Sequence, residues 1–188
     1  LGALGFAIFF GGSGIDALMA ALCGLVVGIL NRSMSKMKAN PFFKTIASAF
    51  VMAAIAYSMH GLGLTGNVDA VIIGTLMILV PGLLFTNAMR DIIYGDTNSG
   101  VNRIVQVLLI AMAIALGVAA GWGVTSGLWE VRPVAATIQY SCFTQCLVCL
   151  IGCIGFAILF NVHSLGLPLC AVGGCLTWAV YLIAMEAT

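Results

Sequence analysis

The sequence predicts an all-α, polytopic transmembrane helical bundle built from inverted-topology five-helix repeats and truncated at both ends. Three observations carry that expectation. Apolar residues make up 62% of the 188 and charged residues only 7%, with a mean hydropathy of +1.18, whereas a water-soluble domain carries about a quarter charged residues. No aqueous fold hides that much apolar surface. The apolar residues fall in unalternated runs, and in hydrocarbon only helices or closed barrels satisfy their own backbone polar groups, so helices follow. Finally, a seven-residue string recurs later in the chain in a register that reverses its direction through the membrane.

The runs are Leu1 to Phe10, Ile15 to Leu30, Phe42 to Met59, Ala70 to Thr86, Ile104 to Trp122, Val134 to Phe160 and Leu165 to Ala184, which predicts seven helices. The first would reach about 15 Å and cannot cross a core of about 30 Å. With Leu1 in place of a methionine and no basic leader, it reads as a half-helix with sequence expected upstream. Gly11-Gly12-Ser13-Gly14 suits a tight turn with positive φ, and Asp16 falls in the first turn of the next helix, where its charge meets the helix dipole. Between Asn31 and Lys44 stand Arg32, Lys36, Lys38 and Lys44 without an acid, and Pro41 sits where a helix would start. Segment 31–44 is therefore expected in the cytoplasm. Alternation from there puts Arg90 and Arg103 inside as well and only Arg132 outside, six basic residues against one.

Leu4-Gly5-Phe6-Ala7-Ile8-Phe9-Phe10 is matched by Ile154-Gly155-Phe156-Ala157-Ile158-Leu159-Phe160, and in the same register Ala21 falls on Ala171 and Gly24 on Gly174. The second copy begins five predicted helices after the first, an odd step, so it enters from the opposite side. That is the inverted arrangement from which many secondary transporters build alternating access. The expected units are residues 1–130, a five-helix unit lacking the start of helix one, and 131–188, the first two helices of the inverted second unit.

Chemistry concentrates in one stretch. Pro81 removes a backbone donor and Gly82 adds freedom, so the fourth helix is expected to kink or break near its middle, either freeing carbonyls that suit a substrate's amino group or serving as a packing kink with no ligand. Asn87, Arg90 or Asp91, and Tyr94 recur at helical spacing, and Asn98, Asn102 and Gln106 continue a polar face on the next helix. Arg90, Asp91, Asp96 and Arg103 are four ionisable groups within fourteen residues of a chain poor in charge. They either line a vestibule or belong to an ordinary solvated loop. The candidate pathway residues are Pro81, Gly82, Thr86, Asn87, Arg90, Asp91, Asp96, Asn98 and Asn102. Asp16, Asp91 and Asp96 are candidate proton carriers, Asp16 being equally a helix cap.

The string from Pro81-Gly82 through Thr86-Asn87-Ala88-Met89-Arg90-Asp91, then Gly95-Asp96 and Ser99-Gly100, resembles the signature of the threonine/serine exporter family. Gly5-Phe6-Ala7, Gly11-Gly12-Ser13 and Asp16-Ala17 are similar to that family's first hairpin, and Gly155-Phe156-Ala157 with Phe160-Asn161 resembles the start of its second membrane unit. The resemblance spans nearly the whole chain. It implies a five-helix unit followed by a related one, a hydrolase-like soluble region upstream, and export of small hydroxy amino acids across the cytoplasmic membrane, driven by the proton gradient. The cysteine-rich second unit departs from that pattern.

The expected partners are membrane lipid, a small amino-acid substrate, the proton gradient, and remaining segments of the same protein or a partner subunit, with a homo-oligomer left open. A net charge of +1 leaves no basic stripe for nucleic acid, and no phosphate loop suggests a primary pump. Neither cofactor nor metal is expected. Cys142, Cys146, Cys149 and Cys153 lie at steps of four, three and four. A single helix spreads such sulfurs over about 16 Å, too far for one tetrahedral site, so helix packing is the favoured reading over a soft-metal or thiol relay. The alternatives to the carrier are a passive channel, a structural membrane subunit, and an intramembrane thiol or carboxylate enzyme. The enzyme needs a constellation of nucleophile, base and orienter that the sequence does not assemble, so the chain is read as no enzyme. His60 and His163 read as helix-end residues, and Trp122, Trp129, Trp178 and Tyr181 as interfacial anchors.

Overall fold

Caps set where the apolar runs become helices. A computed structural model describes residues 1–129 and 133–186, and all regular structure among them is helical: α1 (Gly2–Phe9), α2 (Gly14–Lys36), α3 (Pro41–Gly61), α4 (Val68–Leu76), α5 (Gly82–Ile93), α6 (Thr97–Ser126), α7 (Cys142–Leu159) and α8 (Gly166–Glu186). Ser13 and Asp16 form a capping box at the start of α2. The Asn40 side chain accepts from Phe42 N ahead of Pro41, which fits the first turn of α3 because its absent N–H would be unpaired there anyway. Arg132 and the 130/131 unit boundary lie outside the described residues.

Among the described residues five helices, α2, α3, α6, α7 and α8, are long and apolar enough to cross a membrane, and the seven expected helices are eight. The fourth run is cut at Pro81 into α4, nine residues long, and α5, twelve long. The run from Val134 is also not one helix. Residues 133–141 are irregular because their donors are committed to distant loops: Ala135 N donates to Gly66 O at 2.8 Å, Ile138 N to Gly11 O at 2.9 Å, and the Tyr140 hydroxyl to Gly12 O at 2.8 Å. Helix α7 begins only at Cys142, and the Gln145 side chain closes its start by donating to Tyr140 O at 2.9 Å.

Packing relies on small residues, as expected where lipid gives helices no hydrophobic reason to associate. A Cβ on Gly117 would lie 2.6 Å from that of Ala49, and one on Gly121 2.7 Å from that of Ala53, so α3 and α6 run parallel at backbone contact. The short α1 and α4 meet the same way, a Cβ on Gly74 falling 2.7 Å from Ala7 N and 2.8 Å from Ala3 O. Ala3, Ala7, Ala17, Ala20, Cys23, Met52, Ala56 and Val71 form the core among α1 to α4, while Leu18, Leu25, Ile29 and Leu116 face outward, as a lipid-facing surface should.

Helices α1 and α7 cross in a reciprocal pattern. A Cβ on Gly5 would lie 2.9 Å from Gly152 Cα, and one on Gly155 2.7 Å from Gly2 N. Numbering falls along one helix as it rises along the other, so they are antiparallel. The Phe6 ring covers Gly152, the Phe156 ring covers Gly2, and the two rings meet edge to face with centroids 5.2 Å apart. The helices also end alike. Gly11 N bonds Ile8 O and Gly12 N bonds Ala7 O, both at 2.9 Å, while Asn161 N bonds Ile158 O at 3.0 Å and Val162 N bonds Ala157 O at 2.9 Å. Gly11 has φ +83° and Asn161 φ +59°.

Candidate solute pathway

The Pro81 break supplies the first element of the site. After Leu76 the chain tightens: Ile78 N bonds Thr75 O at 3.1 Å, Leu79 N bonds Leu76 O at 2.8 Å, and Gly82 N reaches Val80 O at 2.9 Å. Among the described residues no backbone N–H donates to the carbonyls of Ile78 and Leu79. This is the outcome the ring of proline dictates, since it offers no donor and displaces those that follow. Such carbonyls in a membrane protein are satisfied by a cavity, water or a ligand.

Helix α5 then lies along the first half of α6. Ala88 is buried at the contact, and Gly100 permits the approach, a Cβ there falling 2.9 Å from Ala88 O. Asp91 and Arg103 are brought together across the hairpin with Nε 3.1 Å from Oδ2, side chains 23% and 40% exposed respectively. The contact is an ion pair without hydrogen-bond geometry, since that carboxylate oxygen has no hydrogen-bond partner. Arg90 points elsewhere, its guanidinium 5.8 Å from the centre of the Tyr94 ring. Asn87 is exposed, the Thr86 hydroxyl donates back to Gly82 O at 3.0 Å, and Asp96 caps α6 by accepting from Ser99 N at 3.3 Å. Asn98 and Asn102 stand exposed on the first turns of α6.

Asp16 lies at the other end of the bundle and is only 1% exposed. Its Oδ2 accepts from Ser13 N at 2.9 Å and from the Ser13 hydroxyl at 2.8 Å; its Oδ1 accepts from Gly66 N at 3.0 Å and Asn67 N at 3.4 Å. It thus caps α2 and pins the α3–α4 loop at once. Around it sit residues that sequence reasoning missed or treated singly. His60 Nδ1 is 3.0 Å from Thr65 O, Asn67 caps α4 through Ala70 N at 3.0 Å, and the Thr65 hydroxyl and Asn67 amide nitrogen are buried with no hydrogen-bond partner among the described residues. The signal was available as Thr65-Gly66-Asn67, three turn-forming residues ahead of an apolar run.

The cysteine stripe faces α8. Cys149 Sγ lies 3.8 Å from Gly174 O, Cys175 Sγ lies 3.8 Å from Cys146 O, and Cys153 packs on Gly174. All the thiols are free, and among the described residues no group of His, Cys, Asp or Glu could hold a metal ion.

Spanning helices, small-residue crossings and a proline-broken helix leading into a polar hairpin define a multi-pass membrane protein. The threonine/serine exporter family model matches residues 1–125, and a second threonine/serine exporter model matches 145–188. The chain belongs to the threonine/serine exporter family. No curated protein and no solved structure matches it.

Proposed function

We propose that this chain forms part of a secondary carrier that exports threonine, serine and similar small hydroxy amino acids across the cytoplasmic membrane in exchange for protons. The observation that carries the reading is the reciprocal α1–α7 crossing. Gly5 meets Gly152 as Gly155 meets Gly2, and both helices close with the same bonds. A two-fold axis in the membrane plane relating residues 1–130 to 131–188 accounts for both, and such an axis gives a carrier two access states related by that rotation. Family membership supports the substrate class. Segment 31–44 then faces the cytoplasm, and the Thr86–Asp96 stretch lines the inner path. Arg90 with Asn87 receives the substrate carboxylate, the carbonyls freed at Pro81 receive the ammonium, and Asp91 paired with Arg103 is the carboxylate placed to exchange a proton.

The test is threonine efflux from proteoliposomes with and without an imposed proton gradient, for the parent, Arg90→Lys and Asn87→Ala at matched protein. The expected result is gradient-driven efflux in the parent and a loss of tenfold or more in both variants. Efflux indifferent to the gradient would make the protein a passive channel, and variants equal to the parent would return the α5 segment to a structural role.

A further inference from the structure

A second site lies at the end of the bundle that carries the 61–69 loop, away from the α5–α6 hairpin. Helices α3 and α6 are clamped where Gly117 and Gly121 meet Ala49 and Ala53. Beyond that clamp, α3, α6 and the start of α4 enclose a cavity of about 210 Å³ whose lining includes Tyr57, His60, Asp69, Trp122, Thr125 and Trp129. Its shape depends on a glycine. A Cβ on Gly61 would fall 2.6 Å from Trp129 Cγ, so a hydrogen at that position is what lets Trp129 pack against α3 and form part of the wall.

The lining offers one carboxylate, that of exposed Asp69, the rings of two indoles and a phenol, and the imidazole of His60, whose Nδ1 lies 3.0 Å from Thr65 O, while none of its described residues is a lysine or arginine. The Thr125 hydroxyl is already committed to Gly121 O at 2.8 Å and Trp122 O at 3.2 Å, which leaves it an acceptor. A carboxylate among aromatic rings attracts an ammonium through charge-assisted hydrogen bonds and the ring quadrupoles. The volume is below the ~300–1,000 Å³ of drug-sized pockets, as suits a small solute.

We propose that this cavity binds the ammonium group of a small primary amine, Asp69 supplying the counter-charge and Trp122 and Trp129 the cage, with the rest of the solute directed to the opening. The proposal deepens the carrier reading and rests on it for one point, that this end of the bundle faces outside, which makes the cavity the place where released amino acid last contacts the protein.

Calorimetric titration of the detergent-solubilised protein separates the possibilities with three probes: threonine, threoninol, which keeps the ammonium and lacks the carboxylate, and N-acetylthreonine, which lacks the ammonium. Threonine and threoninol should bind and N-acetylthreonine should not. Asp69→Asn should weaken threoninol at least tenfold, and Asp69→Glu should stay within a few fold of the parent. Trp122→Leu, at an exposed position with no capping role, should weaken it as well and decides the matter if the Asp69 variants do not fold. Binding of N-acetylthreonine equal to that of threonine, or threoninol affinity unmoved by both Asp69→Asn and Trp122→Leu, overturns the proposal. A protein that exports threonine without such binding refutes this site alone. One that binds threoninol in this way yet exports nothing refutes the carrier reading alone.

Discussion

Replacing Gly5 by alanine puts a single methyl group into the α1–α7 crossing. The new Cβ would lie 2.9 Å from Gly152 Cα, 3.0 Å from Gly152 N and 3.4 Å from Val148 O, all of them backbone atoms with no rotamer through which to yield. Nor can α1 retreat, because on its other side Ala3 and Ala7 already meet α4 at Gly74. The helices must part by several tenths of an ångström, and overpacking of this kind costs about 1–3 kcal/mol. Gaining an alanine in a helix returns roughly 1 kcal/mol. Gly28→Ala on α2 measures that return alone, since a Cβ there meets nothing within 4 Å. At about 2–4 °C per kcal/mol for a chain of this size, thermal unfolding in detergent should place Gly5→Ala roughly 2–12 °C below Gly28→Ala. Gly155→Ala, the reciprocal change, should fall with it. A Gly5 variant that melts with the Gly28 control would show that the crossing is loose, and the two-fold argument would lose its footing.

Two further outcomes are expected. Asp16→Asn exchanges one carboxylate oxygen for an amide donor facing N–H and O–H donors from Ser13 or from Gly66 and Asn67, and should destabilise the protein by about 2–4 kcal/mol; a melting temperature unchanged by this substitution would remove Asp16 as the pin of the α3–α4 loop. Single-cysteine labelling on a cysteine-free background should find Ser35→Cys closed to an impermeant reagent added outside intact cells and Gly63→Cys, in the 61–69 loop, open to it. Labelling at position 35 from outside would reverse the topology and with it the side assigned to each site.

The helices were legible because lipid imposes simple rules on sequence. Unbroken apolar runs, Pro41, Asp16 and Pro81 each act within a turn of where they stand, and the structure places a helix start, a cap or a break at each of the three residues. The strap at 133–141 was not legible for a complementary reason. Val134, Ala135, Ala136, Thr137 and Ile138 are as apolar as a helix start, and what keeps them irregular is bonding to Gly66 and Gly11, far away in sequence. Long-range hydrogen bonds leave no periodicity. The same limit governs the ion pair, since Arg90 adjoins Asp91 in sequence while the hairpin delivers Arg103.

The recurrence of Leu4–Phe10 at Ile154–Phe160 shows how far a repeat can be taken from letters toward physics. As letters it is seven positions in a small apolar alphabet, where coincidence is easy. As structure the two strings share a set of local geometries. A non-glycine residue, Asn161, adopts the positive φ that Gly11 adopts, at a cost an asparagine bears better than most, and Phe6 and Phe10, 6.3 Å apart at 32°, are echoed by Phe156 and Phe160, 6.0 Å apart at 35°. Moreover, the glycines of one copy are required by the backbone of the other. Gly2 and Gly152 share no local task, yet each is covered by the phenylalanine that the other copy's helix presents. That reciprocity is a property of the crossing and of neither helix alone, and in the proposed carrier such a crossing is the expected pivot between two access states.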